Sequence, residues 1–234
     1  MSQLPPEAAG ARDPFAPDFE PVAPRAAATL LLLRRGGRHA DRGLEGLMVQ
    51  RNPNARFMPG AWVFPGGALE ADELILGVKG SDVDTEADDL AHRAAAIREL
   101  REEAGVELAD DAELVLWARW ITPEPVPVRF DTRFYVALAP AHTRPDPDGG
   151  EVVDAAWIEP ADALERGRAG ELVLPFPTMR QLESLLPFTS TEEGLATARE
   201  REVEPVLPNV APADEPPGWR LVFPGDDGYV PPRL

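Results

Sequence analysis

Arg98-Glu99-Leu100-Arg101-Glu102-Glu103-Ala104-Gly105-Val106 is the stretch that decides how this chain reads. On a helix, residues three and four apart share a face. Glu99, Glu102 and Glu103 therefore project together, while Leu100 turns with Ile97 toward a core. Three carboxylates on one face repel one another, and a cation is their natural partner. Hard divalent ions such as Mg²⁺ take oxygen ligands, keep several waters and meet substrate phosphates. A metal held there can acidify a water and neutralise charge on a phosphoryl group. Taken alone, the same residues also fit a solvated face laced with i,i+4 ion pairs. The upstream sequence turns the balance. Phe64-Pro65-Gly66-Gly67 is a tight turn leading out of a strand, and Glu73 follows Gly67 after five residues.

Working outward, the spacing predicts a helix over Thr85–Ala104, with Thr85 as N-cap and Asp88 three residues on. Ala87, Leu90, Ala91, Ala94, Ile97 and Leu100 recur at helical spacing, and Gly105 stands where a C-terminal glycine belongs. Strand-like runs surround this helix: Ala26–Leu33 and Leu44–Gln50 on either side of the Arg34–Gly43 turn, then Ala61–Phe64, Glu113–Ile121, Phe130–Ala139 and Val152–Ile158. Ala161–Arg168, Pro177–Leu186 and Thr191–Arg201 read as helices. Strands around one strong helix, followed by more helices, make the class mixed α/β with a mixed sheet. Proline sets the boundaries. Residues 1–24 form a Pro-rich arm, 25–201 the folded body with helices over about 160–201, and 202–234 a Pro-rich tail. Trp219, Leu221, Val222 and Phe223 make that tail apolar enough to dock in part.

Composition narrows the function. The 234 residues carry a formal charge of −18, 27 prolines and no cysteine. A sequence pI near 4.5 argues against a nucleic-acid partner, whose footprint is basic. The lack of cysteine excludes disulfides, thiolate zinc sites and a cysteine nucleophile. The longest apolar run, Ala26–Leu33, falls well short of the ~20 residues of a membrane span. The first residues lack the apolar core of a signal peptide. The expectation is a soluble cytoplasmic protein without a membrane partner. His39, His92 and His142 show no metal-ligand spacing.

Gly67, Glu73, Arg98, Glu99, Leu100, Glu102, Glu103, Gly105 and Val106 together resemble the Nudix box. That box reads Gly, five residues, Glu, a spacer, then Arg-Glu-hydrophobic-x-Glu-Glu-x-Gly-hydrophobic. The spacer departs from the family: residues 74–97 number 24 where seven are usual, an excess of 17. The surplus is expected as an inserted loop over about 74–90, which puts in question whether Glu73 still reaches Arg98. Upstream, Arg51, Arg56, Gly60 and Phe64-Pro65-Gly66-Gly67 are similar to the signature that precedes the box in coenzyme A diphosphatases, with Asn52 where a small residue is usual. The phrases FMPGAWVFPGG and WITPEPVPVRFDTRFYVALA resemble the acyl-coenzyme A diphosphatase branch.

The resemblance implies a Nudix fold, an α/β/α sandwich with a mixed sheet, plus a C-terminal helical extension. It implies that Glu99 and Glu103 ligate Mg²⁺ or Mn²⁺, and that Glu102 is either a third ligand or the general base. Arg98 is expected to hold the loop through Glu73, and a carbonyl of the Gly66-Gly67 turn to complete the metal shell. Glu151 is a candidate further acid, with Asp154 competing for that place. Arg51 and Arg56 are the expected phosphate partners, because the arginine fork matches phosphate oxygens. Phe57, Met58 and Trp62 are candidates to stack on adenine or line an acyl groove. The implied reaction is metal-dependent hydrolysis of coenzyme A or acyl-CoA to 3′,5′-ADP and (acyl-)4′-phosphopantetheine. Two other readings stay open: the same chemistry on ADP-ribose, NADH or nucleoside triphosphates, and a catalytically silent ligand-binding module. The substrate in each case is a small nucleoside diphosphate, and the oligomeric state is left open.

Overall fold

Strand β1 (Arg25–Arg35) is the spine of the fold. Ala28, Leu30 and Leu32 point to one face of the sheet, Leu31 and Leu33 to the other, and all five are buried. A strand covered on both faces reads as a continuous apolar run, not an alternating one. The computed structural model describes residues 12–36, 43–76, 86–109, 111–214 and 218–230.

One edge of β1 pairs in parallel with β6 (Phe130–Leu138), from Arg25↔Phe130 to Leu33↔Leu138. Beyond β6 lies antiparallel β5 (Val115–Ile121), and then β8 (Pro205–Val206), parallel to β5 at the sheet edge. The other edge of β1 is shared. Its end, Leu33–Arg35, pairs with β2 (Leu44–Arg51), and its beginning, Ala27–Thr29, pairs with β4 (Gly66–Ala68). β3 (Trp62–Val63) follows β2, whose far edge takes β7 (Val152–Ile158). Strands β1 and β2 thus diverge, and Phe64-Pro65 carries the chain across the gap between them.

Helix α2 (Glu86–Ala104) covers one face of the sheet. Its buried residues include Ala91, Ala95, Ala96 and Leu100, which meet Ala28, Leu30, Leu32, Leu47 and Tyr135. Short alanine side chains let this helix lie close to the strands. On the opposite face, α3 (Pro160–Arg168), α4 (Phe176–Leu185) and α5 (Thr191–Glu200) bring Leu164, Leu182, Leu185 and Leu195 against Leu31, Leu33, Met48 and Trp117. The architecture is an α/β/α sandwich with a mixed sheet and a C-terminal helical layer.

Three details differ from the reading of the sequence. Leu90 is 56% exposed and Ile97 is 38% exposed, so the inward stripe of α2 is built from alanines and Leu100. Leu90 and Ile97 lie two turns apart on one flank, just beyond the arc the sheet covers. The extra residues of the box are not one loop. Helix α1 (Ala71–Leu76) takes up the first of them and the early turns of α2 the last, while Thr85, the expected cap, lies outside the described residues. The tail forms more than a dock. Beyond β8 it makes a hairpin of β9 (Asn209–Pro212) and β10 (Trp219–Val222), with Trp219 and Val222 buried.

The described part of the N-terminal arm lies against the body. Arg12 N–H donates to the Pro125 carbonyl at 2.9 Å, and Arg129 Nη1 donates to the Val22 carbonyl at 2.6 Å.

Candidate active site

Arg98 organises the front of α2. Its Nε donates to Glu73 Oε1 at 2.9 Å and its Nη2 to Glu73 Oε2 at 3.2 Å, a bidentate pair. Nη2 also reaches the Ala68 carbonyl at 3.0 Å, while Nη1 donates to Glu99 Oε1 at 2.8 Å and to Glu102 Oε2 at 3.1 Å. Glu73 does reach Arg98 in spite of the long spacer, because α1 brings it there and the surplus begins only after it. Glu73 is 6% exposed, and its hold on Arg98 makes the guanidinium keep its proton more firmly than usual.

Glu103, 4% exposed, lies behind the start of β4, and its Oε2 accepts from the Gly66 amide at 2.9 Å. Burial pushes its carboxyl up to about 8, against the Gly66 amide, with the charges of Glu99 and Glu151 adding to the rise. Burial likewise raises Glu99, against the pull of Arg98 and with further push from Glu102 and Glu151. Gly66 and Gly67, expected in a turn, instead open strand β4, and they matter through space rather than through unusual backbone angles, since neither has a positive φ. A Cβ on Gly67 would stand 2.2 Å from Glu99 Oε1, and one on Gly66 would stand 2.5 Å from the Ala28 carbonyl oxygen.

Of these groups Glu99, Gly66 and Gly67 border a cavity of about 350 Å³ that Glu151 and Arg51 also line, while Glu103, Arg98 and Glu73 stand outside its lining. Arg51 Nη2 donates to Glu151 Oε1 at 3.1 Å, and its Nε donates to the Phe57 carbonyl at 3.3 Å. That second bond steadies the loop between β2 and β3, where Met58 adopts a left-handed φ of 51°, a sparsely populated region for a residue with a side chain. Phe57 and Met58 line the cavity, whereas Trp62 belongs to the core. Arg56 is exposed and stands outside the lining, so of the two expected phosphate partners only Arg51 faces the cavity. Of the two competing acids, Glu151 lines it. Asp154 accepts from the neighbouring Ala155 amide instead. Glu102 is half exposed, paired with Arg98 and Arg101, and outside the lining.

Sequence reasoning missed Arg25, and it missed Phe176, Pro208, Leu221 and Phe223, which also line the cavity. The one available signal was the apolar Trp219–Phe223 run, which announced docking without saying where.

Among the described residues, no group of three or more His, Asp or Glu side chains is placed to hold a metal ion. Glu99 is engaged by Arg98, and Glu103 by the Gly66 amide. The donor chemistry nevertheless fits a hard divalent cation. Glu99 and Glu103 are all-oxygen groups, both pushed upward by burial and by neighbouring negative charge, which a cation would relieve.

Comparison with known proteins gives a consistent result. A family model described as NUDIX domain matches residues 23–174. The putative nudix hydrolase 7 of Caenorhabditis elegans is 29% identical over 195 residues, covering 69% of this chain and 60% of that protein. The chain thus spans less than two thirds of that relative's length. The human acyl-coenzyme A diphosphatase NUDT19 is 26% identical over 275 residues, covering 80% of this chain and 73% of that protein. The crystal structure of a NUDIX hydrolase from Alicyclobacillus acidocaldarius superposes with a TM-score of 0.64 at 28% identity, covering 74% of this chain and 96% of that one. Among the described residues no helix is long and apolar enough to cross a membrane.

Proposed function

Because the chain belongs to the Nudix hydrolase family, we propose that it hydrolyses the diphosphate of coenzyme A or an acyl-CoA, with Mg²⁺ or Mn²⁺, to 3′,5′-ADP and (acyl-)4′-phosphopantetheine. The observation that carries this reading is the cavity. Glu99, Glu151 and Arg51 gather in a lining that is otherwise largely apolar, which suits a diphosphate joined to a long uncharged arm. The similarity to a protein named acyl-coenzyme A diphosphatase supports the same choice.

Bound to the carboxylates, a divalent cation would neutralise charge on the diphosphate and acidify a water. Glu99, which lines the cavity, and Glu103, one turn on and buried behind it, are the residues that would hold it, with Glu151 as a further acid in the lining. Arg51 donates to phosphate oxygens, and its pairing with Glu151 aims the fork. Glu102 is the exposed acid on the same helix face, and its proposed part is to take the proton of the attacking water and pass it to solvent. Arg98 fixes Glu99 and Glu102 through one nitrogen and so sets the spacing of the helix face.

The test is a product-resolved panel of coenzyme A, acyl-CoA, ADP-ribose, NADH and a nucleoside triphosphate, each with Mg²⁺ present or chelated. Metal-dependent release of 3′,5′-ADP from coenzyme A species is expected. Much faster turnover of ADP-ribose than of any coenzyme A species would overturn the substrate assignment.

A further inference from the structure

The C-terminal segment is built into the cavity. Strand β8 pairs with β5 through Arg119↔Pro205 and Trp120↔Val206, which fixes where the tail enters. The hairpin of β9 and β10 follows, anchored by buried Trp219 and Val222, and it leaves Leu221 and Phe223 facing the cavity. The Phe223 ring stacks on Phe176 with centroids 4.3 Å apart and planes 27° apart. Phe176 in turn meets Trp120 edge-on at 5.9 Å. Both are favoured aromatic arrangements. The tail, α4 and β5 each contribute one ring to a single wall.

The charge of the lining is sorted. Among the described residues its charged ones are Arg25, Arg51, Glu99 and Glu151, none of them from β5, α4 or the tail. Beside these rings the lining offers the hydroxyls of Thr122 and Thr178, fewer partners than the edge of an adenine has donors and acceptors, and each unmade hydrogen bond carries a cost. A saturated chain has nothing to leave unpaired. The volume, about 350 Å³, lies near the lower limit of small-molecule sites, room for one portion of a coenzyme A ester and not the whole.

We propose that the C-terminal segment, through Leu221 and Phe223, forms with Trp120 and Phe176 a pocket for the acyl chain of the substrate and sets the accepted chain length. This rests on the reading of the cavity as the substrate site. It makes the tail a determinant of specificity.

The experiment compares kcat/KM for coenzyme A and for saturated acyl-CoAs of increasing length in the full chain, in Phe223→Ala and in Leu221→Trp, with Tm measured for each. In the unaltered chain kcat/KM should rise by up to about fourfold per methylene until the pocket is full. Phe223→Ala should flatten that rise, and Leu221→Trp should move its end to shorter chains. Profiles independent of chain length, or parallel in all three proteins, would overturn the proposal. Calorimetric binding of an acyl-pantetheine, which has neither nucleotide nor diphosphate, separates the two levels. If it binds in a Phe223-dependent way and no coenzyme A species is hydrolysed, the pocket stands and the substrate reading falls. If coenzyme A species are hydrolysed and this binding ignores Phe223, the pocket falls and the reading stands.

Discussion

Gly66 and Gly67 are neighbours with different reasons to lack a side chain, and the difference can be measured. At Gly67 the obstacle is the carboxylate of Glu99, the far end of a flexible side chain. Gly67→Ala should therefore fold, with Tm within roughly 2 °C of the unaltered protein. It should displace Glu99 by about an ångström and lower metal-dependent kcat/KM by about 10²-fold. At Gly66 the obstacle is the Ala28 carbonyl and the Thr29 Cα, backbone in the middle of the sheet. Gly66→Ala should cost about 1–3 kcal/mol through overpacking, seen as a clear fall in Tm. Equal effects of the two substitutions on stability would show that close approach is not what selects glycine here. That Glu99, Glu102 and Glu103 share a helix face was legible because helical spacing is local, while the part given to each came from the family resemblance. The reason for its glycines was not, because close approach to Ala28 and Glu99 is a matter of tertiary contact.

At the scale of elements, Arg98 ties α1 to α2 and both to β4, through Glu73 and the Ala68 carbonyl. Removing the guanidinium leaves Glu73 buried with its main cationic partner gone. Breaking a buried pair from one side costs about 3–5 kcal/mol, so Arg98→Ala should lower the unfolding free energy by about that much. Arg98→Ala with Glu73→Ala should cost less than the two single losses together, since the second change removes the stranded charge. Denaturant unfolding of the three variants decides it, and a loss below about 1 kcal/mol in Arg98→Ala would rule out the tie. Most elements were readable from local signals: the apolar run of β1, the tight turn before β4 and the cap at Gly105. The inward face of α2 was misread at Leu90 and Ile97, because alanines suffice where a helix lies close to a sheet. The β9–β10 hairpin and the course of the tail were unreadable for another reason. Their partners, Trp120 and Phe176, are distant in sequence, and proline-rich spacing says little about where a segment lands.

At the scale of the whole molecule, the formal charge of −18 bears on how stability and metal binding are linked. Glu103 shows the linkage most clearly. Folding raises its pKa from the ordinary carboxylate range to about 8, chiefly through burial. Between about 4.5 and about 8 the folded state therefore holds a proton that the unfolded chain has released, so Glu103 makes stability fall as pH rises. His92 acts in the opposite sense. Burial lowers its pKa, so unfolding takes up a proton and stability falls as pH drops through about 6.5. The difference between the unaltered chain and Glu103→Gln isolates the carboxylate. In EDTA, the Tm of the unaltered chain should decline from pH 5 to pH 8 relative to that of Glu103→Gln. Mg²⁺ should reverse the trend, because ligation requires the deprotonated carboxylate and releases its proton. Stabilisation by Mg²⁺ should accordingly be larger at pH 8 than at pH 5, and should largely vanish in Glu103→Gln. Thermal unfolding with and without Mg²⁺, together with proton release measured in weakly buffered solution at pH 7, tests both halves. If Glu103→Gln leaves the pH slope in EDTA and the proton release unchanged, Glu103 is not the acid through which this molecule couples its cation to its fold.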